Sequence, residues 1–500
     1  MMLKKLMGLI LAMCLILSCG IASFAVAEEE DIVEINVFAP LFSDPPDMNN
    51  EFWTEYQRMT HSKLNVEWVD SGSFHTVMHL KIAAADLPEV SGIPDIRTLT
   101  LIDALKNGAF WDLTDYLGDF SEYTNLRDNV VQNGYAYLSL GGRIYALPRS
   151  RTAIDNGVAI RKDWLDMLGI PLPTTVEEYA DALEAIIHAD IDGNGMDDTI
   201  GISTNGQLPN GLNAAFGALN GDLNEDGTQY PPYLTDGYID YVAYAADLYA
   251  RGILDKEYMS VSYDDAFNLF STGRAASYSN SIWHHYEWEQ GCAQAQSDPA
   301  PEIVALDLTG PGGHSVQLNT GVSGGYYIAA SVPEEKMIRI LRYMDEAASQ
   351  EVTDLCYYGI EGVHHEVVDG VPVLNDLGIA QINVSSKCVG PMAYMPYGKV
   401  DSAGASKEYN ERKREMVANY MDVGKVDYWS SGVLVSETWS EQWPKFEAEY
   451  KANEAKCVSG QMSIDDFRAY VQTLRDNESL KPAFQEFADA YADLMSTINS

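Results

Sequence analysis

Three observations predict an α/β protein of two lobes. Strand-like and helix-like segments alternate, the alternation restarts near Arg151, and no long low-complexity tether interrupts the chain. Val33 to Ala39 alternates apolar and polar residues, the pattern of a half-buried first strand. A helical stretch from about Asn49 to Thr60 leads to a second strand, Lys63 to Val69. Helices near Thr76 to Ala85 and Leu99 to Asn107 follow, the latter before Trp111. Gly141-Gly142 supplies a hairpin turn, after which Tyr145 to Leu147 runs toward the next lobe.

From Arg151 the pattern begins again, with Val158 to Ile160 as a strand. Thr174 and Thr175 are N-caps, each with a glutamate three residues on (Glu177 and Glu178), as a capping box requires. Tyr179, Leu183, Ile186 and Ile187 then share one helical face. Further on, a helix from about Tyr238 to Ala250 ends at Gly252. Ser262 caps another, with Asp265 in box position and Gly273 as its stop. Ala275 to Ser279 is a short strand running into Trp283, and Ile303 to Leu308 is another. Gly310-Pro311-Gly312-Gly313 reads as a mobile connection before a strand, Tyr326 to Ala330, and a helix, Glu334 to Ala348. The chain from about Ser406 onward is mostly helical.

The first residues read as an export signal. Lys4 and Lys5 form a positive region, Leu6 to Leu17 is apolar, and Ala25-Val26-Ala27 offers a small-x-small cleavage site. Ile16-Leu17-Ser18-Cys19 offers a second route, in which Cys19 carries a lipid anchor. No later segment has 18 consecutive apolar residues. The chain has 500 residues, 46% hydrophobic and 21% charged, which is globular and long enough for two or more domains. Its formal charge of −42 repels nucleic acid, polyanions and anionic lipid. That field favours neutral or cationic ligands. After a cut at Ala27, four cysteines remain: Cys292, Cys356, Cys388 and Cys457. Their spacing matches no zinc or redox pattern, and both disulfides and buried thiols fit.

One loop has metal-ligand spacing. Asp190, Asp192 and Asn194 alternate, and Gly195 falls sixth, where an EF-hand-like loop turns sharply. Met196 would lend its carbonyl and Asp198 would act directly or through water, so a structural calcium ion is expected here. Gly201 stands where an EF-hand carries its bidentate glutamate, and an Asx-rich turn without an ion fits the same letters. Asp222, Asn224 and Asp226 alternate in the same way, but Thr228 to Tyr230 follows at once, the mark of a hairpin tip.

Catalytic patterns are sparse. There is no P-loop, no GxGxxG after a strand and no HExxH. Gly321-Val322-Ser323-Gly324-Gly325 has the letters of a nucleophile elbow, but a strand follows it instead of a helix, so it reads as a glycine-rich turn. The chain has 30 Tyr, 14 Phe and 9 Trp, more than a core needs to use up. Aromatic rings in loops after strands can cover the apolar faces of sugars. Trp283 and Trp429 are the stacking candidates, followed by Trp111, Tyr397 and Arg151.

Several blocks resemble the extracellular solute-binding proteins of bacterial ABC importers, in the branch that includes the alginate-binding proteins. They are Arg161-Lys162-Asp163-Trp164-Leu165 through the loop at Asp190, Tyr263-Asp264-Asp265-Ala266 through Ala275, Tyr358 to His364 with Val367 to Leu374, and Gly460 to Tyr470. The resemblance implies a periplasmic-binding-protein-like (type II) fold whose two lobes close on a ligand about a hinge. Residues 28–150 plus about 315–360 would form one lobe, and 151–314 plus about 361–500 the other. It also implies a sugar or oligosaccharide ligand, delivery to membrane permease subunits, no catalysis, and calcium in the Asp190 loop. A monomer is expected. Thr199 stands where the family's loop carries an acid, which removes one calcium ligand. The competing class is a secreted carbohydrate-active enzyme.

Overall fold

A computed structural model describes residues 32–499 except 42–43, 95–96, 132, 155, 192–194, 197, 297–298, 369, 383–401 and 403–404, and except the side chains of 222 and 283. Nine strands build its two principal sheets: β1 Val33–Leu41, β2 Ser62–Asp70, β3 Val90–Ile93, β4 Ala146–Ser150, β5 Asn156–Arg161, β6 Ile200–Ser203, β7 Ala275–Ser281, β8 Ile303–Ala305 and β9 Val322–Ile328. The first sheet has the order β2-β1-β3-β9-β4, the second β8-β5-β7-β6. β1 runs parallel to β2 and β3, and β9 enters antiparallel between β3 and β4. β6 runs parallel to β7, and β5 is antiparallel to both β7 and β8. The sequence-distant strand β9 thus completes the first sheet after the chain has built the second.

β1 alternates at its start, with Val33, Ile35 and Val37 buried and Glu34 and Asn36 exposed. Those apolar residues share a core with Trp53 and Tyr56 of the helix Glu51–Met59 and with Ile340 and Tyr343 of the helix Glu334–Ala347. In the second sheet Val158, Ile160 and Ile202 pack with Tyr179, Leu183 and Ile186. The helix carrying them, Val176–Ile187, starts as its letters require: Thr175 Oγ1 accepts from Glu178 N at 3.1 Å, while a Glu178 oxygen accepts from Thr174 N at 2.9 Å.

Some local expectations need correction. The Gly310–Gly313 segment is a tight hairpin, with Thr309–Gly310 paired antiparallel to Gly313–His314. Gly312 N donates to Ala215 O at 2.6 Å, and a Cβ at Gly312 would stand 2.0 Å from Gly217 N. The glycines therefore serve close backbone approach, not looseness. The strand expected from Tyr326 already begins at Val322, so Ser323 lies on a strand of the first sheet. The second acidic loop, by contrast, is the hairpin tip expected, with Asp222–Leu223 paired to Gln229–Tyr230 and Asp226 accepting from Thr228 N at 3.0 Å. Cys292, Cys356 and Cys457 are buried and no disulfide joins them to one another, and Cys388 lies outside the described residues.

The Arg161-Lys162-Asp163-Trp164 block builds a buried clamp. Arg161 Nε and Nη2 donate to the two Asp163 oxygens at 2.8 and 2.5 Å, and Nη2 also donates to Gln296 Oε1 at 2.9 Å. The guanidinium lies over the Trp164 ring, 4.4 Å from its centroid. Arg161 is wholly buried, so the bidentate partner offsets a large desolvation cost. The clamp fastens the end of β5 to the following helix and to the end of the helix His285–Ala295. Replacing Asp163→Ala strands that charge and is expected to lower stability by about 3–5 kcal/mol, read from the midpoint of urea unfolding.

Candidate functional site

Where the chain passes between the sheets, extended segments lie side by side. Arg151 N donates to Gly321 O and Asn319 N to Ala153 O, both at 2.8 Å, and Ile154 bridges Leu318 antiparallel. Gln317–Leu318 then pairs in parallel with Lys425–Val426, and Asp427 N donates to Leu318 O at 2.7 Å. Asn220 holds the same segment from the other side, donating to Val426 O and accepting from Tyr428 N, both at 2.7 Å.

This junction floors two adjoining cavities. The narrower, about 340 Å³, has Pro94, Arg97, Val322 and Ser323 on the first-sheet side and Asp427 and Ser430 to Gly432 opposite. The larger, about 450 Å³, lies in the second lobe. Its lining includes the loop Gly206 to Asn210, Tyr233, Tyr238, Trp429, Trp443, Tyr450 and Glu454. Gln317, Asp427 and Ser430 line both. Pro94 directly follows β3 and Gly206 to Asn210 follow β6, so each sheet turns the carboxyl ends of parallel strands toward the cavities, the usual ligand edge of an open α/β sheet.

Asp427 is buried and accepts from Gln317 Nε2 and Ser430 N, each at 2.8 Å. Arg97 reaches across the junction, donating to Ser139 O at 2.9 Å and Val433 O at 3.5 Å, and burial lowers its pKa from the ordinary value. Glu454 accepts from Tyr238 Oη at 2.8 Å. Burial pushes its carboxyl up to about 7, against the opposing pull of the Tyr238 bond and Lys451. Trp429 packs edge-on against Phe487 and Trp439, with ring centroids 4.7 and 5.9 Å away, and Trp443 stacks on Trp439 at 4.3 Å. These rings are rigid because each is braced by another, which limits the entropy lost on binding.

Of the residues expected at the site, Trp429 lines the larger cavity. Trp283 follows β7 in the turn Ile282–His284, at the sheet edge where Ser281 pairs with Asn156, a residue that lines the same cavity. Trp111 lies elsewhere. Its backbone N donates to Ile328 O at the far end of β9, and its ring nitrogen donates to Val332 O at 3.0 Å. The cavity is at the Val322 end of that strand, about 20 Å away at the rise of a β-strand. Trp111 therefore packs against the first core beside Tyr116. Arg151 sits in the crossing segments, where its Nη1 donates to Ser150 O at 2.7 Å, and it is not among the residues lining either cavity. Tyr397 lies outside the described residues.

Sequence reasoning missed Arg97, Gln317, Asp427, Tyr233, Trp443 and Glu454. Glu454 left a trace: Glu447, Tyr450, Lys451 and Glu454 share one face of the helix Glu447–Val458, on which Tyr450 is buried. An acid in that register beside a buried tyrosine is out of place on a plain packing face.

In the Asp190 loop, both Asp190 oxygens accept from Gly195 N, at 3.0 and 3.2 Å, and Asp190 and Gly195 have φ of 45° and 73°. The loop so closes on its first and sixth residues. Asp198 lies 3.6 Å from Arg274 Nη2, a cation that competes with a metal for the ninth position. The Met196 side chain is exposed, which leaves its carbonyl as the only donor of use to a hard cation. Asp192 and Asn194 lie outside the described residues, and among the described residues no cluster of three or more His, Cys, Asp or Glu suits a metal. No helix among the described residues is long and apolar enough to cross a membrane.

Two α/β lobes with a polar, ring-lined cleft at their strand ends have the fold of the periplasmic-binding-protein class. Residues 40–351 match the family of bacterial extracellular solute-binding proteins, and the chain belongs to that family. Among curated relatives, the polygalacturonan/rhamnogalacturonan-binding protein YtcQ of Bacillus subtilis is 27% identical over 344 residues, 67% of each chain. The solved structure of alginate-binding protein AlgQ2 without calcium ion superposes with a TM-score of 0.62 at 15% identity, covering 93% of this chain and 98% of that one. The substrate-binding protein FusA of a Streptococcus pneumoniae ABC transporter, in complex with kestose, gives 0.61 at 17% identity, covering 92% and 99%.

Glu454 gives the site a pH signature. Its folded pKa lies above the unfolded value of 4.5, so its contribution to stability is full below pH 4.5 and is lost as pH rises through about 7. Glu454→Gln is expected to gain stability over the natural protein across that window, by on the order of 2–3 kcal/mol. Urea unfolding of both proteins at pH 4.5, 6 and 8 reads the difference; a constant difference refutes it.

Proposed function

We propose that this protein is the extracellular receptor of an ABC importer, which captures a sugar or oligosaccharide between its lobes and delivers it to membrane permease subunits. The observation that carries the reading is the pair of adjoining cavities that meet at Gln317 and Asp427, with rings of Tyr233, Trp429 and Trp443 in one and Arg97 and Ser323 in the other. Rings cover the apolar faces of a sugar while carboxylates, amides and hydroxyls bond its hydroxyls. The names of YtcQ, a polysaccharide-binding protein, and FusA, an ABC-transporter protein bound to kestose, support the same class of ligand and partner.

Residues 28–150 and about 315–360 belong to one lobe, and 151–314 and about 361–500 to the other, with one adjustment. The hairpin His365–Val368 and Val371–Leu374 and the helix Asp376–Gln381 travel with the first lobe, because Gln381 Nε2 donates to Glu51 Oε2 at 2.9 Å and Ile382 packs in the first core. The lobes rotate about the crossing segments, and ligand favours the closed state because only there does it touch both. The protein acts as a monomer without catalysis. It is exported, and either carries a lipid on Cys19 or is cleaved after Ala27. A structural calcium ion sits in the loop of Asp190, Asp192, Asn194, Met196 and Asp198, with an affinity of roughly 10⁻⁴–10⁻³ M. The self-closing Asp190–Gly195 contact supports it, as does the mention of calcium in the name of the AlgQ2 structure.

An oligosaccharide panel followed by thermal shift and by chromatography of products tests the receptor reading: stabilisation with unchanged sugars is expected, and turnover refutes it. Calorimetric titration with calcium of the natural protein and of Asp190→Ala tests the loop. Heat in the first and at least a tenfold weaker response in the second is expected; two silent traces reject the ion.

A further inference from the structure

The ionisable lining of the larger cavity bears on the charge of the ligand. Asp427, Glu447 and Glu454 line it, against one ammonium, Lys451. Lys451 is 67% exposed and its Nζ is 2.7 Å from Glu447 Oε1, so its charge is directed at Glu447 and toward solvent. Asp427 lies buried at the junction of both cavities. Glu454 lies on the face of its helix beside Tyr450, one oxygen held by Tyr238 Oη. The guanidinium of Arg97 lines the narrower cavity and not this one, and it donates to the carbonyls of Ser139 and Val433.

We propose that this cavity takes an uncharged sugar residue and rejects a uronate, with Glu454 as the specificity-determining residue. The inference rests on the receptor reading above and adds the ligand's charge to it. A uronate carboxylate about 6–7 Å from that of Glu454 meets a repulsion that, at an effective dielectric near 20, weakens binding at least about tenfold. An uncharged sugar meets no such repulsion. Its hydroxyls donate to the carboxylates, which can only accept, and such charge-assisted bonds are stronger than neutral ones. Its ring face meets Trp429 and Trp443.

Isothermal titration at pH 8 of neutral xylo-, cello- and fructo-oligosaccharides, and of oligogalacturonates of matched length, tests this on the natural protein and on Glu454→Gln. A neutral set is expected to bind at least about tenfold more tightly than the oligogalacturonates, and the variant is expected to close most of that gap. Raising salt from about 20 to 500 mM is expected to narrow it in the natural protein too, which keeps the test alive if the variant does not fold. Equal or tighter oligogalacturonate binding overturns this inference and leaves the receptor reading standing. So does a gap that neither the variant nor salt alters. Silence with every sugar overturns the receptor reading and this inference with it.

Discussion

The site depends on one constraint: three extended segments must lie together where the chain passes between the sheets. Residues 151–154 and 316–321 run antiparallel, and 425–427 pair in parallel with the second of these segments. These backbone groups are largely inside, so each needs a partner, and the segments supply many of them to one another while side chains such as Asn220 and Ser431 supply others. Their pairing fixes Gln317 and Asp427 at the meeting point of the two cavities. It also brings strand β9 back into the first sheet, with its Val322 end at the cleft. Short, paired crossings leave a rotation between lobes as the soft motion, because bending them costs few hydrogen bonds whereas sliding would break the register.

Around that junction the second lobe presents a cluster of interlocking rings. Trp429, Trp439, Trp443, Tyr233 and Phe487 brace one another through edge-on and stacked contacts. Most of these rings come from the C-terminal helices, which pack on the helix Asp236–Ala250 through Tyr238 and Tyr450. Within this apolar wall Glu454 and Asp427 are costly, since a buried carboxylate gives up its water. Asp427 recovers the loss through Gln317 and Ser430, and Glu454 only in part through Tyr238. Incomplete compensation at a cavity surface is the arrangement expected of a group that awaits a ligand.

Much of the local structure was legible in the letters. The Thr175–Glu178 cap, the Ser262–Asp265 box and the hairpin at Asp226 each depend on residues within five positions of one another. The family blocks were legible for a different reason: the Arg161–Asp163 clamp is formed two residues apart, so it stands in the sequence as a motif. The Gly310–Gly313 segment misled because glycine serves both looseness and close approach, and only the presence of Gly217 against it decides. Trp111 misled because a loop after a helix meets either edge of a sheet, and the pairing of β9 with β3 places it at the edge away from the cleft.

By itself, then, the sequence determined the α/β class, most helix starts and the acidic field, which follow from periodicity, short-range hydrogen bonding and composition, and it carried the motif blocks whose resemblance gives the family. Of the cavity lining the sequence named Trp429; the rest only tertiary structure decided. Arg97, Gln317, Asp427 and Glu454 lie on separate segments of the chain, and no spacing rule joins them. They meet because sheet order and the paired crossings bring the carboxyl ends of two sheets to one place, a consequence of long-range backbone pairing that leaves no local mark.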